Sequence, residues 1–247
     1  MIKGILRNRR VLIENEADAS TLRNKGYKGK NLGQMLSLDL VSSIDLLLRK
    51  KMTVTRGKTC VTTEQVQEML SADERKTAIA FHFLKVKGMR PITKRLRLYS
   101  ADKPVTVFWD SDFVEFAVMK RKNNTMAVVD HEGSCLLYSV NEIGRVDRAR
   151  KVVGPGNVVS KEEDILVHFR AKGLRIESGL KFGSEFRVYE GNSSHAKYLM
   201  TIGEKSIARD LVARVRVSQS VRKTYLQVAP DPKLKKYRLF EIKWIRR

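Results

Sequence analysis

The chain alternates short apolar runs with breaks marked by glycine or proline. Over residues 1–16, Ile5, Val11 and Ile13 recur between charged residues, the pattern of one or two short strands in a small N-terminal sheet. The order ADASTLRNKG predicts a helix from Asp18 to Asn24 that stops at Gly26. GYKGKNLGQML is rich in glycine and lysine but lacks phosphate-loop spacing, and reads as a surface loop. In LSLDLVSSIDLLLRKKM, Leu40, Ile44, Leu47 and Leu48 recur at helical steps, which predicts a helix opening at Leu36 or Ser37. A helix over Thr63–Leu70, capped by Thr62 or Thr63, comes next. Another runs from Asp73 to about Val86, stopped by Gly88 and Pro91.

From this point the chain repeats itself. IAFHFLKVKGMRPITKRLRLY (Ile79 to Tyr99) parallels ILVHFRAKGLRIESGLKFGSEFRVY (Ile165 to Tyr189): a helix, a Lys-Gly stop and a strand ending in Arg-x-Tyr. AVMKRKNNTMAVVDHEGSCLLYSV (Ala117 to Val140) parallels VSQSVRKTYLQVAPDPKLKKYRLFEI (Val217 to Ile242), each a strand, a polar turn and a closing strand. Between the copies, NEIGRVDRARKVVGPGNVVS reads as a basic connector. A helix then opens at Ser160, with Glu163 placed for a capping box. The tail YRLFEIKWIRR carries apolar residues on both alternating faces, as a strand buried on two sides does. The predicted class is α+β (mixed α/β). A small N-terminal α/β domain (1–75) precedes two repeated units, 76–143 and 161–247, joined by a linker at 144–160.

Charge narrows the function. The formal net charge is +22 over 247 residues, which favours a polyanionic partner and nucleic acid first. No apolar run approaches the ~20 residues that span a bilayer, and MIKGILRNRR lacks a signal-peptide core. Cys60 and Cys135 show no CxxC spacing, so neither a zinc site nor a disulfide framework is indicated. A cytoplasmic protein is expected, with no membrane, no metal and no small-molecule cofactor.

The chemistry gathers near the C-terminus, where GLKFGSEFRVYEGNSSHAKYLM and SQSVRKTYLQV hold Tyr189, His195 and Lys223. One at a time they are ordinary: a strand tyrosine packs its ring, and a loop histidine or a surface lysine is solvated. Together they suit metal-free RNA cleavage by the RNA's own 2′-hydroxyl. That reaction needs a proton acceptor, a proton donor to the leaving oxygen and a fixed cation beside the phosphorus. GLKFG, the Phe-x-Val-Tyr strand, the His-x-x-Tyr-Leu strand and Ser-Val-Arg-Lys occur in the order of the archaeal tRNA-intron splicing endonucleases, which this segment resembles. LSL followed by a helix and a basic turn resembles that family's N-terminal domain.

The resemblance implies Tyr189 as general base, His195 as general acid and Lys223 as transition-state cation. The products would be a 2′,3′-cyclic phosphate and a 5′-hydroxyl. It further implies the fused form, in which an inactive endonuclease-type unit precedes an active one and the chain forms a homodimer. The first copy keeps Tyr99, has Asn123 opposite Lys223, and lacks a counterpart of His195. Its acidic turn, with Asp130 and Glu132, would dock on a partner's basic groove, and the tails of two chains would pair. The substrate would be precursor tRNA with a bulge-helix-bulge fold. Arg216 would stack on a bulged base, and a second stacking cation would be Arg238 or Arg246. Two other classes compete: a non-catalytic basic RNA-binding or structural subunit, and a DNA-junction nuclease. For the latter, Asp110, Asp112 and Glu115 form no convincing ligand set.

Overall fold

Each apolar position of the N-terminal alternation meets a partner row. In the computed structural model, which describes residues 1–94, 97–101, 103–119, 124–147, 161–231, 233–234 and 236–246, β1 (Ile2–Arg7) and β2 (Arg10–Ile13) form a hairpin. Its turn is Asn8-Arg9, both left-handed, and Leu6, Val11 and Ile13 are buried. Then come α1 (Glu16–Asn24), β3 (Lys30–Leu32), β4 (Met35–Asp39), α2 (Leu40–Leu48), β5 (Met52–Arg56) and β6 (Thr59–Val61). The sheet order is β3-β4-β2-β1-β5-β6, with β1 and β5 parallel. α3 (Thr63–Glu68) and α4 (Ala72–Val86) have capping boxes, Thr62 with Gln65 and Ser71 with Glu74. β7 (Ile92–Lys94), β8 (Arg97–Ser100) and β9 (Lys103–Trp109) follow as an antiparallel meander in which Ile92 faces Tyr99.

Two expectations change here. The helix does not open at Leu36: Leu36 and Leu38 alternate along β4 opposite Ile13 and Val11. The helix begins after Asp39, whose carboxylate accepts the Ser42 amide at 2.7 Å. Its buried positions include Leu40, Ile44, Leu46 and Leu47, while Leu48 is exposed. The segment read as a surface loop contains β3, which pairs with β4 around the left-handed Gly33. At the centre of this region Asp45 is fully buried. It accepts the Tyr27 hydroxyl and meets His82 Nδ1 at 2.7 Å, while Lys85 Nζ lies 3.9 Å from the Tyr27 ring centre.

The remaining elements are β10 (Phe113–Glu115), a 3-10 turn (Phe116–Val118), β11 (Asn124–Val129), β12 (Cys135–Asp147), α5 (Lys161–Ala171), β13 (Leu174–Ser178), β14 (Phe186–Glu190), β15 (Tyr198–Ile202), β16 (Lys205–Ile207), α6 (Ala208–Ser220), β17 (Thr224–Asp231) and β18 (Lys236–Trp244). Here the strand order is β13-β14-β15-β17-β18-β12-β11, and β10 pairs with β16. β15 and β17 are parallel, with α6 as the crossover. No side chain caps α6; instead its first amides donate to the carbonyls of Asp112 and Asp110, each at 2.8 Å. Ile165 and Phe169 of α5 pack on one face, with Val188, Met200, Leu226, Val228, Tyr237 and Leu239.

The architecture is α+β, as expected. Its compact units are Met1–Trp109 with Val129–Cys135, and Asp110–Val128 with Leu136–Arg246. They do not coincide with the segments 1–75, 76–143 and 161–247. α4 runs through the boundary at 75 and packs on α2. Residues 144–147 are strand paired with β18 rather than linker. Residues 148–160, including Ser160, and Asn123 lie outside the described residues. β18 is buried on both faces, and β17 and β12 of its own chain occupy its two edges. The expected pairing of two chains' tails is therefore corrected over Lys236–Ile242, where both edges of the strand are taken within the chain. No helix among the described residues is long and apolar enough to cross a membrane.

Candidate active site

Two glycines shape the loop that delivers Tyr189. Residues 179–183 form a tight 3-10 turn between β13 and β14. A Cβ at Gly179 would lie 2.8 Å from the backbone of Ser184 and of Phe186, so only glycine fits without moving the chain. Gly183 sits at φ +68°, a left-handed geometry that glycine adopts freely. The return strand sets Arg187 opposite Glu177 and Tyr189 opposite Arg175.

Tyr189 is 4% exposed. Its hydroxyl donates to Glu177 Oε2 at 2.9 Å, and Arg187 Nη2 donates to the same oxygen at 2.9 Å. The Arg175 guanidinium lies over the Tyr189 ring at 4.3 Å. Burial first, and then the bond to Glu177, push the phenol above its ordinary range, so it is a neutral proton donor at pH 7.

His195 is held on a short turn. Gly191 is left-handed, the Ser193 amide donates to the Glu190 carbonyl at 3.2 Å, and the His195 amide donates to Ser193 Oγ at 3.2 Å. Arg175 Nη2 donates to the Ser193 carbonyl at 3.1 Å, so one arginine ties the histidine turn to the tyrosine ring. Beside it is a cleft of about 410 Å³ lined by Arg170, Arg175, Gly191 and Asn192. Lys197, at the start of the return strand, pairs with Glu190 at 2.7 Å, a bond that raises its ammonium pKa.

Lys223 comes off the end of α6. The Lys223 amide donates to the Ser218 carbonyl at 2.8 Å and the Arg222 amide to Gln219 at 3.1 Å, with Arg222 at φ +56°. This helix ending normally places glycine where Arg222 stands.

Strand register brings these segments together. Val188, Tyr198 and Thr224 form one row across β14, β15 and β17. Tyr189 follows Val188 on an antiparallel strand, His195 precedes Tyr198, and Lys223 precedes Thr224. All three therefore lie at the same end of the three strands. At ~4.8 Å per strand, Tyr189 and Lys223 stand about 10 Å apart in backbone, a span that two long side chains can close around one phosphate. In the first copy, Tyr99 is half-buried at the Ile92–Pro104 row, with Lys94 Nζ 5.8 Å from its ring.

The other expected residues separate. Arg216 and Arg246 are exposed and lie near one indole, their guanidinium carbons 5.5 and 4.8 Å from the Trp244 ring centre. Arg238 is 4% exposed, and its guanidinium is engaged inside the protein. It donates to Glu142 Oε2 at 2.8 and 3.0 Å and to the carbonyls of Phe116, Ala117 and Met119 at 2.6–3.1 Å. Its place beside Phe240 on the inward face of β18 is the reason. Asp130 accepts the Ser134 amide at 2.8 Å and so holds its turn, leaving Glu132 as the exposed acid there. The opposite turn, of which Pro232 and Lys235 lie outside the described residues, is held by Asp231 accepting the amides of Lys233 and Leu234. Glu177, Arg175 and Trp244 did not emerge as site residues from the sequence. The strand alternation around Tyr189, extended across the GLKFG turn, is the signal that would have found the first two.

Models of one family match both ends of the chain: the tRNA intron endonuclease N-terminal domain over residues 2–66 and its catalytic C-terminal domain over residues 160–237. The chain belongs to the tRNA intron endonuclease family. The catalytic-domain match contains Tyr189, His195 and Lys223. Among relatives, the tRNA-splicing endonuclease of Pyrococcus abyssi is 38% identical over 80 residues, covering 29% of this chain and 47% of the relative. That of Hyperthermus butylicus is 32% identical over 124 residues (48% and 65%), and that of Saccharolobus islandicus 27% over 135 residues (53% and 70%). The chain spans about half the length of the first of these relatives.

Proposed function

We propose that this chain is a tRNA-splicing endonuclease that cleaves precursor tRNA at bulge-helix-bulge junctions. The 2′-hydroxyl attacks the adjacent phosphorus and the 5′-oxygen leaves, giving a 2′,3′-cyclic phosphate and a 5′-hydroxyl. In this reading Tyr189 receives the 2′-hydroxyl proton and His195 protonates the departing oxygen. Lys223 neutralises the charge that builds on the phosphoryl oxygens. The observation that carries it is the register that gathers three segments at one end of β14, β15 and β17. Arg216 and Arg246, both close to Trp244, support base stacking at the bulge, with phosphate contacts from a chain of net charge +22.

The same reading makes residues 76–143 a degenerate copy and 161–247 the active one. It is supported by matching element orders, α4-β7-β8-β9 with β11-β12 against α5-β13-β14-β15 with β17-β18. Two cuts per precursor then require two copies of the chain, and Glu132 on its exposed turn is the contact we assign to the dimer. Because Asp130 holds that turn, Glu132→Ala alone tests the contact; light scattering showing an unchanged dimer at low concentration would remove the assignment. For the activity itself, His195→Ala is expected to lower single-turnover cleavage by about 10²–10⁴-fold with RNA affinity unchanged. Full cleavage by that variant would contradict the role of His195 as proton donor.

A further inference from the structure

The general-base role leaves a chemical difficulty at Tyr189. A buried phenol that already donates its proton cannot accept another unless its own leaves at the same time. The structure supplies a place for that proton. Tyr189 donates to Glu177 Oε2 at 2.9 Å, and Arg187 grips the same oxygen at 2.9 Å. Glu177 is 38% exposed at its side chain, so it can pass a proton on to solvent.

Resting on the endonuclease reading above, we propose that Glu177 is the terminal acceptor of the 2′-hydroxyl proton. As the 2′-oxygen attacks phosphorus, its proton moves to the Tyr189 oxygen and the phenolic proton moves to Glu177. The bond from phosphorus to the 5′-oxygen breaks, and His195 in its protonated form supplies that oxygen's proton. The step ends with Glu177 neutral, Tyr189 again a phenol and His195 neutral; exchange with water restores the first and last. Glu177 does not touch the RNA. It is a positioning residue that acts through Tyr189.

The charges around the pair are compatible with this. Arg175 lies over the Tyr189 ring and 3.5 Å from Glu177 Oε1, and Arg187 closes the other side. Glu190 ends Tyr189's own strand and pairs with Lys197, which precedes the next strand; Lys223 precedes the strand beyond it, and Arg170 lines the neighbouring cleft. Two arginines hold the carboxylate in place, and the phenol remains its hydrogen-bond donor.

The test is the pH dependence of single-turnover cleavage of a bulge-helix-bulge RNA by the full chain and by Glu177→Gln. Glutamine keeps the shape and still accepts the phenol, but takes no proton. Tyr189 must then lose its proton unaided, and ordinary phenols do so only near pH ~10. The rate ratio of unaltered protein to variant is expected to be about 10³-fold at pH 6 and to fall roughly tenfold per unit, approaching one near pH 9. RNA affinity should not change, and Glu177→Asp should restore part of the rate. The His195 contribution is common to both proteins and cancels in the ratio. A ratio that stays constant with pH, or equals one throughout, would overturn the relay and leave the endonuclease reading standing. Failure of the unaltered protein to cleave would overturn both.

Discussion

Arg238 offers the sharpest contrast between two physical roles for one cation. Replacing it with methionine keeps the aliphatic bulk beside Phe240 and removes the guanidinium. The carbonyls of Ala117 and Met119 then lose their side-chain donor and that of Phe116 keeps only the Met119 amide, at about 1 kcal/mol for each bond lost. Glu142, with 6% side-chain exposure, keeps only Arg145 at 2.6 Å. Breaking a buried pair in this way costs about 3–5 kcal/mol, or roughly 1–2 M in urea midpoint for a slope of about 2–3 kcal/mol/M. The loss should depend on pH. Burial works to raise the Glu142 carboxyl, but the bonds from Arg145 and Arg238 outweigh it and hold the group below the usual range. A depressed folded pKa contributes stability above the unfolded value of ~4.3 and loses it as pH falls through the folded one. The difference between the two proteins should therefore be largest near neutrality and shrink below about pH 4. Urea unfolding from pH 3 to 8, with RNA affinity measured alongside, checks both points. A variant as stable as the parent but weak in RNA binding would refute the structural role and return Arg238 to the RNA surface.

Three further outcomes follow from local geometry. Gly179→Ala should destabilise the chain by about 2 kcal/mol or more, read by thermal unfolding, because its Cβ meets backbone on both sides. Arg222→Gly should stabilise it by about 1 kcal/mol, since φ +56° strains an arginine and not a glycine; unchanged unfolding would argue against that turn. Stability should rise between about pH 8 and 10. Burial lowers Lys85 to about 8, so over that range the unfolded chain binds the extra proton. Above pH ~10 the Tyr27 phenol, raised by burial, turns the slope over, and Lys85→Met should abolish the rise.

What the sequence disclosed depended on whether the relevant partner was near in the chain. A helix such as Ala72–Val86 is local: its stop was legible from Gly88 and Pro91, and its capping box joins Ser71 to Glu74, three residues apart. The Leu36–Leu48 stretch misled because its leucines satisfy the strand period up to Leu38 and the helix period from Leu40; Asp39, the cap, was the deciding residue. Arg238 looked like a surface cation because its partner Glu142 is 96 residues away, and only pairing of β12 with β18 brings them together. The two-sided burial of that last strand was legible, but what occupies its edges was not. For the candidate site, the residue types came from motif order, whereas their convergence came from register. Glu177 stayed hidden because its relation to Tyr189 exists only across a strand pair.

End-group analysis of a labelled bulge-helix-bulge RNA, treated with the full chain in excess chelator, reads the cleavage chemistry itself. Products ending in 2′,3′-cyclic phosphate and 5′-hydroxyl are expected, with cleavage undiminished by the chelator. Products bearing 3′-hydroxyl and 5′-phosphate, or tight binding without cleavage, would contradict the assignment of Tyr189, His195 and Lys223.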